Sequence, residues 1–138
     1  VQQTESQGAI PLVVVGAHLS GLALNHELTA LGAVFLGAAE TLPVYRLYAL
    51  PGGPPPRPGL LRVGPDRGAA IAAEIWALAP ANFGLFVAAM PMPLCIGTIL
   101  LADGSAPKGF LVEAAATEGA ADISAFGGWR TYLAGLRA

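Results

Sequence analysis

The chain has 138 residues, a formal net charge of -2, and 12% charged against 54% hydrophobic residues. That length sets one domain able to bury a core without disulfide staples, and the apolar balance excludes intrinsic disorder for most of it. With a single lysine, Lys108, and six scattered arginines, there is no basic stripe to neutralise phosphates, which argues against a nucleic-acid partner.

Residues 1–9 are polar and read as a flexible tail or linker, leaving 10–138 as the folded domain. The start has neither a basic region nor an initiator Met, so it does not read as a signal peptide. The missing Met fits a domain cut from a longer chain, and processing would look the same. Leu12–Val15 is a continuous β-branched run, as expected of a strand buried on both faces. Gly16–Gly21 breaks that pattern. Leu24, Leu28 and Leu31 then recur at helical spacing, and Gly32 offers a stop. Ala33–Ala39 predicts a strand, as does Tyr45–Leu50. Pro51–Gly59 is a rigid proline loop, more a connector than a polyproline ligand. Leu60–Val63 predicts a short strand and Gly64–Gly68 a turn.

Ala69–Leu78 alternates, with Ile71, Ala73 and Ile75 on one face and Ala72, Glu74 and Trp76 on the other. Pro80 suits a first helical turn. Phe83, Phe86, Val87 and Met90 predict a short amphipathic helix to about Ala89. The uncharged stretch Ile75–Ala102 is long enough to raise the membrane question. Pro80, Pro91, Pro93, Gly84 and Gly97 interrupt it, so it reads as strand, helix, loop and strand. Ile96–Leu101 and Pro107–Ala114 flank Asp103-Gly104, a hairpin signal. Trp129–Leu136 predicts a last helix. Strands and helices do not alternate strictly, which favours an α+β domain with a curved, partly closed sheet. One cysteine, Cys95, allows no internal disulfide and no metal-ligand set, and suits a reducing cytoplasm.

Chemistry concentrates in Gly16-Ala17-His18-Leu19-Ser20-Gly21. Two glycines bracket it, so the backbone can turn sharply between a buried strand and a helix, with amides converging on an anion. His18 supplies a group that titrates near neutral pH, Ser20 a hydroxyl and Asn25 an amide. Leu22-Ala23 stands where a phosphate loop needs Lys and Ser or Thr, so triphosphate binding is not supported. From local features alone, the alternative is a glycine-rich turn whose histidine caps its own backbone. Among other candidates, His26 reads as a surface or capping residue. Cys95 reads as a small buried hydrophobe. Lys108 reads as solvated. Glu74 reads as exposed on its strand more readily than as a buried acid. Trp129-Arg130 is a packing Trp with a capping Arg, or a site arginine.

Several motifs in one order carry a resemblance: Val15-Gly16-Ala17-His18-Leu19-Ser20-Gly21-Leu22 with Leu24-Asn25-His26, then Tyr45–Gly52, Pro93–Thr98, Lys108–Leu111 and Asp122–Arg130. Together they are similar to the C-terminal domain of allophanate hydrolase, over about residues 11–134. The resemblance implies a γ-glutamyl cyclotransferase-like mixed β-barrel with short flanking helices. It implies decarboxylation of N-carboxycarbamate, the second step of allophanate breakdown in urea catabolism, with an amidase domain in the same chain or as partner. His18 matches the family's key loop histidine and would deliver a proton to the nitrogen that loses CO₂. Gly16, Ala17, Leu19, Ser20 and Asn25 would hold one carboxylate of the dianion. Arg46 or Arg130, the hydroxyls of Tyr45 and Tyr48, or Lys108 would hold the other. Malonate would mimic the substrate, and the scheme calls for no metal and no organic cofactor. True cyclotransferases carry an acid in or after the helix that follows the central strand. Here Phe83–Leu94 has none, which puts that activity in doubt. The alternative is a non-catalytic module that binds a small dicarboxylate or assembles an amidase complex.

Overall fold

The computed structural model describes residues 8–137. Seven residues of the anticipated tail, 1–7, lie outside the described residues. Strand β1 (Ile10–Val14) lies in the middle of a five-stranded sheet of order β2-β5-β1-β7-β6. Its neighbours are β5 (Ala72–Leu78), antiparallel, and β7 (Lys108–Val112), parallel. Leu12, Val13 and Val14 are at most 1% exposed, as the β-branched run predicts for a strand covered on both faces. At the edges lie β2 (Val34–Glu40), bulged between Phe35 and Gly37, and β6 (Leu94–Thr98).

A second sheet has the order β4-β3-β8, from β4 (Pro58–Arg62), β3 (Tyr45–Ala49) and the two-residue β8 (Ala121–Asp122). The α+β class and the short helices agree with expectation, but a closed barrel does not form. Pro43 has no amide proton and interrupts the chain between β2 and β3. Isolated bridges stand in for continuous pairing at the seam: Thr41 with Leu101 joins the ends of β2 and β6, the two edges of the five-stranded sheet, and Tyr45 with Ala69 joins β3 to the segment before β5. Backbone bonds from Leu42 N to Leu100 O and from Ala102 N to Glu40 O, at 2.9 and 2.8 Å, are joined by side-chain bonds. The Thr41 hydroxyl accepts from the Ile71 amide at 3.0 Å, and the Tyr45 hydroxyl accepts from the Leu100 amide at 2.9 Å.

The helices are α1 (Asn25–Thr29), α2 (Pro80–Ala88) and α3 (Trp129–Arg137). Helix α2 starts at Pro80, where the missing amide costs nothing. It is apolar on every side rather than amphipathic: Phe86 is buried while Leu85 is 61% exposed. Asn82 Nδ2 donates to Leu31 O at 2.9 Å, pinning α2 beside the end of α1. The Asp103-Gly104 turn forms as predicted, with Asp103 accepting from the Ser105 amide and hydroxyl. No helix among the described residues is long and apolar enough to cross a membrane.

Candidate active site

The chain leaves β1 at Val14 and turns through Gly16–Gly21 into α1. The turn is closed by Leu19 N donating to Gly16 O and Leu24 N donating to Ala17 O, at 3.0 and 2.8 Å. Asn25 Nδ2 donates to His18 O at 2.9 Å, which fixes the backbone at the histidine. Gly21 has φ +77°, a conformation that only glycine adopts cheaply. Gly16 serves close approach, because a Cβ there would lie 2.5 Å from Pro58 Cδ. The proline loop therefore rests directly on the histidine loop.

His18 is 7% exposed. Its ring sits edge-on to Phe86 at 5.2 Å and tilted to Phe110 at 5.1 Å. Nε2 lies 2.7 Å from Glu27 Oε1, on the exposed side of α1. Burial pushes the imidazole below its ordinary 6.5, the Glu27 carboxylate pulls it back up, and Arg57 pushes it down again. No group among the described residues hydrogen-bonds Nδ1. The pair faces a cavity of about 500 Å³ between α1, α2 and the β6–β7 hairpin. His26, Arg57, Leu85, Met90 and Leu94 share its wall. A recess of about 20 Å³ lies against Gly16, Ala17 and His18 and has Arg57 on its other side. Arg57 Nε is buried and has no hydrogen-bond partner among the described residues.

The other half of the loop faces away from this cavity. Ser20 donates from its amide to Glu74 Oε1 at 2.8 Å and from its hydroxyl to Glu74 Oε2 at 2.9 Å. Trp76 Nε1 adds a third bond to the same carboxylate at 3.1 Å. Arg130, on α3, donates to Ser20 O at 2.6 Å and to Glu74 Oε2 at 3.1 Å. Burial alone would raise the Glu74 carboxyl; the bonds from Ser20, Trp76 and Arg130 outweigh it and hold it below its ordinary 4.5. Glu74 is thus buried, against the expectation of an exposed strand residue. The loop's affinity for an anion is met at Ser20 by the protein's own carboxylate, which leaves the Ala17 and His18 amides with no partner among the described residues.

The sequence-derived candidates separate accordingly. Gly16, Ala17 and His18 line the recess. Leu19 and Arg130 line a different hollow, over Ala72 and Glu74. Asn25 holds the loop. Tyr45 is fully buried beneath the seam. Arg46 pairs with Asp122 and with Arg67 O, and Tyr48 faces Asp122 across β3 and β8. None of Tyr45, Arg46, Tyr48 and Arg130 reaches the His18 cavity, because their strands and helix belong to other faces of the fold. Lys108 is exposed and donates to Thr98 Oγ1 at 2.9 Å. Cys95 stays outside the cavity wall, and burial, with Glu113 nearby, pushes its thiol up. Among the described residues no three His, Cys, Asp or Glu side chains are placed to hold a metal ion.

Sequence reading missed Glu27 and Arg57. Glu27 had a signal, since it is nine residues after His18 on the helix that the loop opens. Arg57 had a weaker one, a lone cation fixed between Pro56 and Pro58.

Comparison with known proteins gives this geometry a lineage. The chain is 40% identical to urea amidolyase of Lachancea kluyveri over 130 residues, 92% of this chain and 7% of that protein's length. It superimposes on allophanate hydrolase of Kluyveromyces lactis with TM-score 0.88 and 38% identity, covering 93% of this chain and 21% of that one. A uropathogenic E. coli-specific protein matches with TM-score 0.84 and 36% identity, over 91% of this chain and 96% of that one. A gamma-glutamyl cyclotransferase at 9% identity and TM-score 0.59 shares the fold alone. Residues 10–134 match the family described as the allophanate hydrolase C-terminal domain, and the chain belongs to that family.

Proposed function

We propose that this domain decarboxylates N-carboxycarbamate, the small dianion left when allophanate loses its amide, as a step in urea breakdown. The observation that supports this reading is the buried His18 held 2.7 Å from the exposed Glu27 carboxylate, the two facing a mostly apolar cavity. Loss of CO₂ from this dianion cleaves one C–N bond. The bonding pair stays on nitrogen, so one proton must arrive there to give carbamate. Burial depresses the imidazole of the empty site and favours its neutral form. A dianion entering beside it, with Glu27 behind it, favours imidazolium. Proton uptake runs through Glu27, whose side chain is 45% exposed. Nδ1, which no group among the described residues engages, then donates to the substrate nitrogen. Phe86 and Phe110 exclude water around the ring, which strengthens the electrostatics of the transfer.

The test supplies N-carboxycarbamate by amidase hydrolysis of allophanate and follows CO₂ release against the buffer-only rate. General acid catalysis contributes about 10²–10⁴-fold. H18N and H18A are expected to fall toward the buffer rate while remaining folded. Unchanged turnover in both would remove His18 from the chemistry.

A further inference from the structure

The dianion carries two carboxylates, and none of the arginines and tyrosines first considered for them reaches the cavity. Arg57 does. It borders the cavity of about 500 Å³ beside His18 and the recess of about 20 Å³ beneath the Gly16–His18 backbone. Its Nε is buried with no partner among the described residues. A guanidinium N–H removed from water and left unpaired is costly, so such a group in a native fold calls for an explanation. The flanking prolines fix the backbone on both sides, and Leu50 N donates to Arg57 O at 3.0 Å, closing the loop behind it. Gly16, in contact with Pro58, sets how near the guanidinium comes to the histidine loop. The arginine is close enough to lower the His18 imidazole.

We infer that Arg57 is the carboxylate anchor of this site. Resting on the decarboxylase reading above, it makes the ligand class a small dicarboxylate, one carboxylate on Arg57 and the central atom near His18. The planar guanidinium suits a carboxylate in two-point contact, and a lysine would supply charge without that fork. The unengaged Ala17 and His18 amides border the same recess and can complete the contact. Binding also neutralises the charge that depresses His18, so Arg57 links occupancy to protonation of the acid.

The probe is malonate, titrated into the intact chain by calorimetry, with R57M, R57K and H18N compared. R57M is expected to weaken malonate about tenfold to a hundredfold, R57K to recover part of the loss, and added guanidinium to restore binding to R57M. H18N is expected to weaken malonate less than R57M does, because it removes the imidazole that the dianion protonates but leaves the arginine in place. Thermal melting checks the fold, and R57K carries the comparison should R57M unfold. Malonate affinity unchanged in both arginine variants, or no binding of malonate to the parent chain, overturns the anchor. Should R57M lose malonate while H18N keeps full CO₂ release, the anchor stands and the decarboxylase role of His18 falls.

Discussion

Glu74 grips Ser20 twice, through the amide at 2.8 Å and the hydroxyl at 2.9 Å, although the two residues are 54 positions apart. The carboxylate comes from β5 and the serine from the loop after β1, its antiparallel neighbour. The contact therefore sews the histidine loop to the sheet from the side opposite the cavity.

Replacing Glu74 by Gln keeps the shape but exchanges an acceptor oxygen for a donor, which at Oε1 loses the bonds from the Ser20 amide and Trp76 and at Oε2 those from the Ser20 hydroxyl and Arg130. The expected cost is about 1–3 kcal/mol, read by urea unfolding. Arg130 adds little of this, because its side chain is 48% exposed and its charge is screened. The acid limb should change as well. The folded carboxyl lies below its ordinary 4.5, so its stabilisation is complete above pH 4.5 and is lost as pH falls through the folded value. E74Q should lack that part of the acid-induced loss. An unfolding curve and pH profile matching the parent would show the contact to be inconsequential.

For His18, the pH–rate profile separates the empty from the occupied site. The kcat/KM limb reports the free protein and kcat the complex. The empty-site imidazole is depressed below 6.5, so kcat/KM should fall as pH rises through a value under 6.5. With a dianion beside it the imidazole rises, and kcat should hold to higher pH. E27Q removes a charge that raises His18, so its imidazole, followed by NMR, should titrate lower than the parent's. Coincident limbs for kcat and kcat/KM would contradict substrate-driven protonation.

Gly16 and Gly21 should fail differently. G16A drives a Cβ into Pro58, 2.5 Å from its Cδ, and overpacking of this kind costs about 1–3 kcal/mol. It should also weaken malonate binding, by moving the segment that carries Arg57. G21A meets nothing within 4 Å, and its cost comes from the left-handed backbone, about 1–2 kcal/mol. Chemical denaturation paired with malonate titration distinguishes them. Equal malonate affinity in G16A and the parent would show that the two loops do not depend on one another.

The strand, loop and first helix were legible because their signals are local: a β-branched run, two glycines and leucines at helical spacing. The histidine was legible for the same reason. Glu74 was not, since alternation reports which residues share a face but not what covers that face. Here the cover is Ser20 and Arg130, which meet across 110 positions. Arg57 was hidden for the opposite reason. What marks it is a missing partner, and a sequence cannot display that. Tyr45 and Arg46 looked chemical because of their residue types, yet they tie the seam and brace β8. Helix α2 looked amphipathic from its aromatic spacing, but its remaining residues, Asn82 apart, carry no polar side chain, and exposed Leu85 lines the cavity.

Arg130 belongs to α3, the last element of the described chain, and it closes on the Ser20 carbonyl and the Glu74 carboxylate together. Elements outside a central sheet open locally at free energies below that of global unfolding. The chemistry proposed for His18 thus depends on a helix whose bond to the histidine loop is made on the face away from the cavity. Mild denaturant should silence the histidine while the central strands still resist hydrogen exchange, making turnover an early gauge of local opening at α3.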